Sequence, residues 1–213
     1  MTFDEQRAKM VETQLKSRGL DDERLLAAFG KVPRHLFIPE EFREEAYADH
    51  PLPIGAGQTI SQPYIVALMV DCLGLRGHER VLEIGSGSGY QTAILSELAL
   101  EIFSVERVPE LLKAVQVRLS TLGYLNVHLA AGNGSLGWPE HAPFDAIIVS
   151  AAAPRIPLPL VTQLAERGRM AIPIGTPQAQ MLVRAEKRRG ILHQKDIASC
   201  VFVPLIGDYG WPV

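Results

Sequence analysis

The stretch Val81-Leu82-Glu83-Ile84-Gly85-Ser86-Gly87-Ser88-Gly89-Tyr90 decides the fold of this chain. An apolar run leads into a turn with glycine at every second position, and a helical pattern follows as far as Leu98. Glycine allows a tight turn and lets a bound molecule approach the backbone without interference from a Cβ atom. The stretch therefore predicts a β-strand, a ligand-binding turn and an α-helix in succession.

The spacing of the turn and the acid before it indicate what binds there. Gly85, Gly87 and Gly89 form G-x-G-x-G, whereas the dinucleotide fingerprint is G-x-G-x-x-G. The carboxylate of Glu83 would repel a pyrophosphate but attract a cationic sulfonium or an ammonium group. The pattern favours S-adenosylmethionine, with S-adenosylhomocysteine as its product, over the NAD of a dehydrogenase.

Strand-like and helical patterns alternate along the middle of the chain, which predicts a parallel sheet with helices on both faces. We predict an α/β fold with a doubly wound, mostly parallel sheet, a helical N-terminal extension and a C-terminal β-hairpin. The predicted strands are residues 80–84, 102–105, 127–130, 146–149 and 169–174, and the predicted helices between them are 90–98, 109–122 and 158–165.

The flanking regions depart from this alternation. At the N-terminus we predict helices over residues 4–18 and 22–29, an irregular connector over 31–57 with a short helix near 40–46, and a helix from Pro63 to about 73. At the C-terminus we predict a hairpin of 181–186 and 191–198 around Gly190, then an extended segment over 201–205. The whole chain, 1–213, is predicted to be one domain, with an N-terminal part (1–78), a cofactor-binding core (79–175) and a C-terminal β segment (176–213).

Composition excludes several classes of function. The 213 residues carry a formal net charge of −3, so no basic surface for nucleic acid is expected, and no apolar run is long enough to cross a membrane. The six histidines are scattered without metal-ligand spacing, so no metal site is predicted. Cys72 and Cys200 form no disulfide framework, which favours a cytoplasmic protein. Composition also favours a monomer.

Polar residues follow two further strands of the predicted sheet. Glu106 ends the second strand, where a carboxylate can accept hydrogen bonds from both hydroxyls of a ribose. Gly132, Asn133 and Gly134 follow the third strand, and the Asn133 side chain could bond to an adenine edge. An ordinary turn explains these three residues equally well.

Five further blocks of sequence, in order, resemble the protein-L-isoaspartate O-methyltransferase family over nearly the whole chain. The blocks are Val32-Pro33-Arg34 with Phe37 and Pro51–Gly55, then Gly57-Gln58-Thr59-Ile60-Ser61-Gln62-Pro63-Tyr64, then Ala142–Val149 with Ala151–Ala153, then Pro173-Ile174-Gly175, and finally Phe202-Val203-Pro204-Leu205. The glycine turn by itself would indicate only a class I methyltransferase.

The resemblance implies transfer of a methyl group from S-adenosylmethionine to the α-carboxylate of L-isoaspartyl residues in damaged proteins and peptides. The ester then closes to a succinimide that reopens partly to aspartate. By resemblance, the active-site hydroxyl is that of Ser61. The implied cofactor contacts are Gln58, Thr59, Ile60, Ser61, Glu83, Gly85, Ser86, Gly87, Gly89, Glu106, Gly132 and Asn133.

The acceptor in this reaction needs no general base, because a carboxyl group that titrates near pH 4 is already ionised at neutral pH. Catalysis would then rest on alignment and on a few fixed donors, and Ser61 suits the role of donor. A helix N-cap before Pro63 is the alternative role for Ser61. For the peptide substrate, Pro204 suggests a free strand edge, so main-chain pairing to Val203 and Leu205 is predicted.

Asn133 departs from the resemblance, since the family usually has aspartate there, and we expect weaker but retained cofactor binding. Two further alternatives stay open: a methyltransferase for RNA or a small molecule, and a non-catalytic S-adenosylmethionine-binding module. The blocks outside the glycine turn and the negative charge disfavour the first, and the intact Ser61 segment disfavours the second.

Overall fold

A computed structural model describes residues 1–212 and contains a seven-stranded sheet with the order β5-β4-β3-β6-β7-β8-β9. The first five strands in that order are parallel, and β8 and β9 complete the sheet as an antiparallel hairpin. The strands of this sheet are β3 (Arg80–Ile84), β4 (Glu101–Glu106), β5 (Val127–Ala131), β6 (Phe144–Val149), β7 (Leu164–Gly175), β8 (Gln180–Arg188) and β9 (Ile191–Cys200).

Helices cover both faces of the sheet. Buried side chains alternate along β6, with Ala146 and Ile148 facing one apolar cluster and Ile147 and Val149 facing the other, as expected for a strand buried on both sides. Helices α2 to α5 pack in the first cluster and α6 in the second. The α-helices are α1 (Phe3–Met10), α2 (Glu23–Lys31), α3 (Pro63–Asp71), α4 (Tyr90–Leu98), α5 (Pro109–Thr121) and α6 (Leu158–Gln163). The predicted fold class is confirmed.

The N-terminal connector contains a hairpin that the sequence did not predict. Strands β1 (Leu52–Gly55) and β2 (Gln58–Ile60) pair antiparallel as a separate two-stranded sheet. Three prolines between residues 39 and 53 suggest irregular backbone, but the short strands satisfy each other's hydrogen bonds without joining the main sheet. This hairpin ends directly before Ser61.

Other predicted bounds need correction, and the strand predicted over 169–174 begins five residues earlier, at Leu164. The helix predicted over 158–165 ends at Gln163, because Leu164 already pairs with Phe144 at the start of β7. The helix predicted over 4–18 is helical throughout but changes from α to π at Val11 and to 3₁₀ at Lys16, before Gly19 ends it with a φ of 90°. The segment predicted over 201–205 is not a ladder strand; it makes one isolated bridge, from Pro204 to Ala152.

The two cysteines are unpaired thiols, Cys72 buried and Cys200 partly buried. Burial raises the pKa of each thiol to about 11. Among the helices that the structure describes, none combines the length and the apolar character needed to cross a bilayer.

Candidate active site

An open cleft of about 930 Å³, including the space at its mouth, lies at the carboxyl ends of β3, β4 and β6. This is where open α/β sheets bind ligands. It brings together parts of the chain that are distant in sequence, among them the end of β2, the glycine turn, the end of β4 and the C-terminal segment. The lining residues predicted from sequence are Gln58, Thr59, Ile60, Ser61, Gly85, Ser86, Gly87, Glu106, Val203 and Leu205.

The glycine turn reverses the chain between β3 and α4 with left-handed backbone at three positions. The φ angles of Gly85, Gly87 and Gly89 are 88°, 53° and 85°. L-residues with a side chain rarely adopt such angles, so the turn requires glycine. Gly85 and Gly87 expose bare backbone to the cleft, whereas Gly89 does not line it and serves to begin α4.

Glu106 is fixed by the same turn. Its Oε2 accepts a hydrogen bond from Gly87 N at 2.9 Å, and its Oε1 accepts one from Val108 N at 2.9 Å. A carboxylate has about four acceptor sites, so both oxygens can still accept hydroxyl donors from the cleft. Glu106 is therefore a preoriented acceptor pair, suited to the two hydroxyls of a ribose.

Glu83 lies behind the cleft wall and not in it. Its carboxyl group is fully buried and accepts hydrogen bonds from Gln91 Nε2 at 3.0 Å, Thr92 Oγ1 at 2.6 Å and Ser104 Oγ at 2.6 Å. Burial raises its pKa, and the three donors oppose that effect. Glu83, from which we predicted a cationic ligand, therefore does not contact the cleft itself. It orients Gln91, which lines the cleft.

Sequence reasoning missed Gln91. Its Nε2 also donates to Ser150 Oγ at 2.7 Å, so both amide hydrogens have acceptors. Its Oε1 makes no hydrogen bond with any residue of the described chain. The position of Gln91 in the sequence could have suggested a ligand contact, because it lies in the first turn of the helix that follows the glycines. Its orientation, however, follows only from its contact with the buried Glu83 carboxyl group.

Ser61 follows β2 and lies on the cleft wall. The N-cap of α3 is Gln62, and the first-turn amide of Tyr64 donates to Asp49 Oδ1 at 3.1 Å, so the alternative role of Ser61 as the N-cap is wrong. Within residues 1–212 the Ser61 hydroxyl has no hydrogen-bond partner, while its main-chain oxygen accepts a bond from Arg34 Nη2 at 2.8 Å. The hydroxyl is thus held on a fixed backbone and left free for a ligand.

Gly132 and Asn133 are not lining residues of the cleft; Gly134 lines it instead. The Asn133 side chain accepts bonds from Ser135 N and Oγ at 3.1 and 2.7 Å, and its Nδ2 donates to Asp208 Oδ2 at 3.1 Å. A Cβ atom on Gly134 would lie 2.3 Å from Ile84 Cγ2, so glycine is needed for this close approach. Asn133 therefore ties the C-terminal tail to the loop beside the cleft.

The C-terminal segment closes one side of the cleft. Ala152 N donates to Val203 O at 2.8 Å, and Leu205 N donates to Ala152 O at 2.7 Å. Trp211 N donates to Leu205 O at 2.7 Å. The main-chain N–H and C=O of Leu205 are thus already paired within the protein. Of the two residues predicted to pair with a peptide, only Val203 keeps a main-chain group, its N–H, that is free among the described residues.

The residues of the cleft fit S-adenosylmethionine. Gly85 and Gly87 present backbone without a Cβ atom to the cleft, so a ligand can approach it closely. Glu106 offers acceptors for a ribose, and Gln91 Oε1 offers one for an ammonium group. Nothing in the described chain groups three or more His, Cys, Asp or Glu side chains in a way that could hold a metal ion.

Comparisons with known proteins agree with this geometry. The sequence profile of the family described as protein-L-isoaspartate(D-aspartate) O-methyltransferase matches residues 5–210. A protein-L-isoaspartate O-methyltransferase of Syntrophobacter fumaroxidans is 53% identical over 211 residues, which cover 99% of both chains. A relative of the same name from Methanoculleus marisnigri is 50% identical, covering 97% of this chain and 94% of its own.

Solved structures show the same likeness. A protein-L-isoaspartate O-methyltransferase structure superposes with a TM-score of 0.87 at 29% identity, covering 96% of this chain and 67% of the other. A Plasmodium falciparum structure of the same kind, in complex with S-adenosyl-L-homocysteine, has a TM-score of 0.81 at 29% identity and covers 94% and 98%. The likeness extends over the N-terminal region, the glycine turn and the C-terminal segment alike. The chain belongs to the protein-L-isoaspartate(D-aspartate) O-methyltransferase family.

Proposed function

We propose that this protein methylates the α-carboxylate of L-isoaspartyl residues in damaged proteins and peptides, with S-adenosylmethionine as the methyl donor. The methyl ester then closes to a succinimide, which reopens in part to aspartate. One observation carries the proposal: the Ser61 hydroxyl, free of partners in the described chain, lines the same cleft as the glycine turn and Glu106. Family membership and the product complex of the Plasmodium falciparum relative support it.

When bound, S-adenosylmethionine supplies an electrophilic methyl group on a positively charged sulfur. The chain's own contribution is binding and alignment. Gly85 and Gly87 provide backbone for close approach, Glu106 accepts from hydroxyl groups, and Gln91 Oε1 accepts from an ammonium. Holding two reactants in line can be worth an effective concentration of about 10⁵ M or more.

Ser61 acts on the acceptor carboxylate. Its hydroxyl donates one hydrogen bond, which orients the carboxylate and replaces part of its hydration without neutralising it. No proton has to be removed, because the acceptor is ionised at neutral pH. A cleft without a histidine–carboxylate pair in its lining is consistent with this chemistry.

The peptide would lie beside the C-terminal segment. Val203 retains a main-chain N–H without a partner in the described chain, and it lines the cleft next to Pro204. An extended peptide that accepts a bond there would follow the common mode of strand addition. For the adenine we propose the loop held in place by Asn133, through Gly134, the residue of that loop that lines the cleft.

We further infer that the protein works as a monomer, in the cytoplasm, on protein substrates and not on nucleic acid. A net charge of −3 disfavours binding to the phosphates of a nucleic acid. The unpaired thiols of Cys72 and Cys200 suit a reducing compartment.

Paired peptides that differ only in an isoaspartyl or a normal aspartyl residue test the proposal. With labelled S-adenosylmethionine, we expect base-labile methyl esters on the isoaspartyl peptide and none on its aspartyl partner. Equal labelling of both, or labelling of RNA or a small molecule in place of the peptide, would contradict it. Tight cofactor binding without turnover on any peptide would instead indicate a binding module.

A further inference from the structure

Arg34 lies directly behind the cleft wall. It begins the short 3₁₀ helix Arg34–Phe37 and is completely buried, which is rare for arginine. Its Nε donates to Ala46 O at 2.7 Å and its Nη2 donates to Ser61 O at 2.8 Å. The guanidinium thus joins the N-terminal connector to the residue whose hydroxyl faces the cleft.

The charge of this guanidinium has no counter-ion in contact. No carboxylate of residues 1–212 pairs with Arg34, and its Nη1 is buried without a hydrogen-bond partner. Asp49 attracts it from a distance, but the Asp49 carboxylate is held by Arg18 at 2.7 Å and by Tyr64 N at 3.1 Å. Burial lowers the pKa of Arg34 to about 10, so the group stays protonated at neutral pH.

Burying a charge without a carboxylate partner costs free energy that two carbonyl acceptors and an aromatic ring only partly offset. Two carbonyl oxygens could be satisfied by a neutral donor. The guanidinium also lies 4.9 Å from the centroid of the Tyr90 ring, and Tyr90 lines the cleft together with Ser61. The guanidinium therefore contacts two residues that line the cleft, Ser61 and Tyr90, from the side facing away from it.

We propose that Arg34 is a positioning residue for the acceptor: it fixes the Ser61 main chain and places a positive charge behind it that favours an anionic carboxylate at the Ser61 hydroxyl. Charges act over longer distances inside a protein than in water, because the surroundings screen them less. Arg107 also lines the cleft, beside Glu106, but Arg34 is the cation that directly contacts Ser61, through the Ser61 main-chain oxygen. The inference rests on the proposed function.

The test measures charge preference in binding, in addition to turnover. One probe is an isoaspartyl peptide, and the other is the same peptide with a carboxamide in place of the free α-carboxyl group. Dissociation constants for both are measured by calorimetry with saturating S-adenosylhomocysteine. In the wild type we expect the carboxylate peptide to bind more tightly than the carboxamide.

Two variants separate charge from hydrogen bonding. Arg34→Gln keeps a donor but removes the charge, and we expect the preference for the carboxylate to fall by about tenfold. Arg34→Lys keeps the charge, and we expect the preference to stay within about twofold of wild type while kcat falls, since one ammonium cannot hold both carbonyls as the planar fork does. Thermal unfolding with S-adenosylhomocysteine shows which variants are folded.

Arg169→Gln is the matched control. Arg169 also donates to a main-chain oxygen, that of Gly74 at 2.7 Å, but it does not line or adjoin the cleft. We expect its charge preference to equal that of wild type. If Arg34→Gln folds and keeps the wild-type preference for the carboxylate peptide, the inference is overturned. If Arg34→Gln does not fold, loss of that preference in Arg34→Lys overturns it. A wild type that fails to methylate the isoaspartyl peptide would refute the proposed function instead.

Discussion

The side-chain amide of Gln91 donates to Glu83 Oε1 at 3.0 Å, which connects a fully buried carboxyl group to the cleft. With its second hydrogen on Ser150 Oγ, the amide can turn only its oxygen toward a ligand. The acidic residue before the glycine turn thus influences the ligand by orienting another side chain. The burial of the Glu83 carboxyl group also makes the stability of the protein depend on pH.

Glu83→Gln is expected to remove a pH dependence of stability. The pKa of Glu83 is raised in the folded protein, mainly by burial, above the ordinary value of 4.5. Between these two values the native state binds the proton and the unfolded state does not, so wild-type stability falls as the pH rises through that interval. The variant has no such proton. Urea unfolding from pH 4 to pH 8 should show the free energy of unfolding of the variant rising relative to that of wild type.

A constant difference between the two proteins across that pH range would mean that Glu83 does not titrate as its burial implies. Glu166→Gln provides the comparison, because the Glu166 carboxylate is bound by the main-chain N–H groups of Arg189 and Gly190 and its pKa is lowered. The effect of Glu166 has the opposite sign. Wild type loses the stability that this carboxylate contributes when the pH is lowered below 4.5, and the variant does not, so the unfolding series for this pair is extended to more acidic pH.

Ser61→Ala should lower kcat on isoaspartyl peptides by roughly 10- to 100-fold. The estimate corresponds to one hydrogen bond to a charged group, about 1.5–3 kcal/mol. The dissociation constant of S-adenosylhomocysteine should change by less than about twofold, because the Ser61 hydroxyl is assigned to the acceptor and not to the cofactor. Steady-state kinetics and calorimetry measure the two quantities.

Ser120→Ala is the control for this change, since Ser120 is an exposed serine of α5 away from the cleft. It should behave as wild type in both assays. Loss of cofactor affinity in Ser61→Ala with normal turnover would show that the assigned role is wrong.

Gly134→Ala should destabilise the protein by about 1–3 kcal/mol. The added Cβ would lie 2.3 Å from Ile84 Cγ2 on the strand that precedes the glycine turn, so β3 or the loop must shift. Gly30→Ala in α2 is the opposite case, because nothing lies within 4 Å of its added Cβ. That variant should be more stable by about 0.5–1 kcal/mol, as expected for alanine in a helix. Urea unfolding compares the two, and equal effects would contradict the packing argument.

Asp208→Ala should weaken S-adenosylhomocysteine binding by about two- to fivefold with little loss of stability, since an exposed hydrogen bond is worth about 0.5–1.5 kcal/mol. The change frees Asn133 Nδ2 and loosens the tail, where Gly207 contacts Asn133 so closely that a Cβ would lie 2.1 Å from Asn133 Oδ1. Asp208→Asn keeps an acceptor and should bind as wild type does. Affinity equal to wild type in Asp208→Ala would show that the tail does not act on the cleft.

The sequence by itself determined the alternation of strands and helices, the glycine turn and the family. Strand β3 and helix α4 have the bounds that the pattern predicts, Arg80–Ile84 and Tyr90–Leu98. These features depend on periodicity and on backbone freedom, which are local properties of the chain. Glu106 could be predicted for the same reason, since it ends a strand that the pattern shows, whereas Ser61 was predicted from the resemblance of its segment to the family.

Only the tertiary structure decided what each polar group touches. Glu83 is turned away from the cleft and Gln91 lines it instead. Arg34 bonds to the Ser61 main chain, and Asp208 bonds to Asn133. All of these arrangements depend on contacts between residues 8 to 75 positions apart. Whether a charge is buried, and which donor reaches it, is set by the elements that pack together. The spacing of residues in the sequence does not predict that packing, because pairing across the sheet joins segments that are distant along the chain.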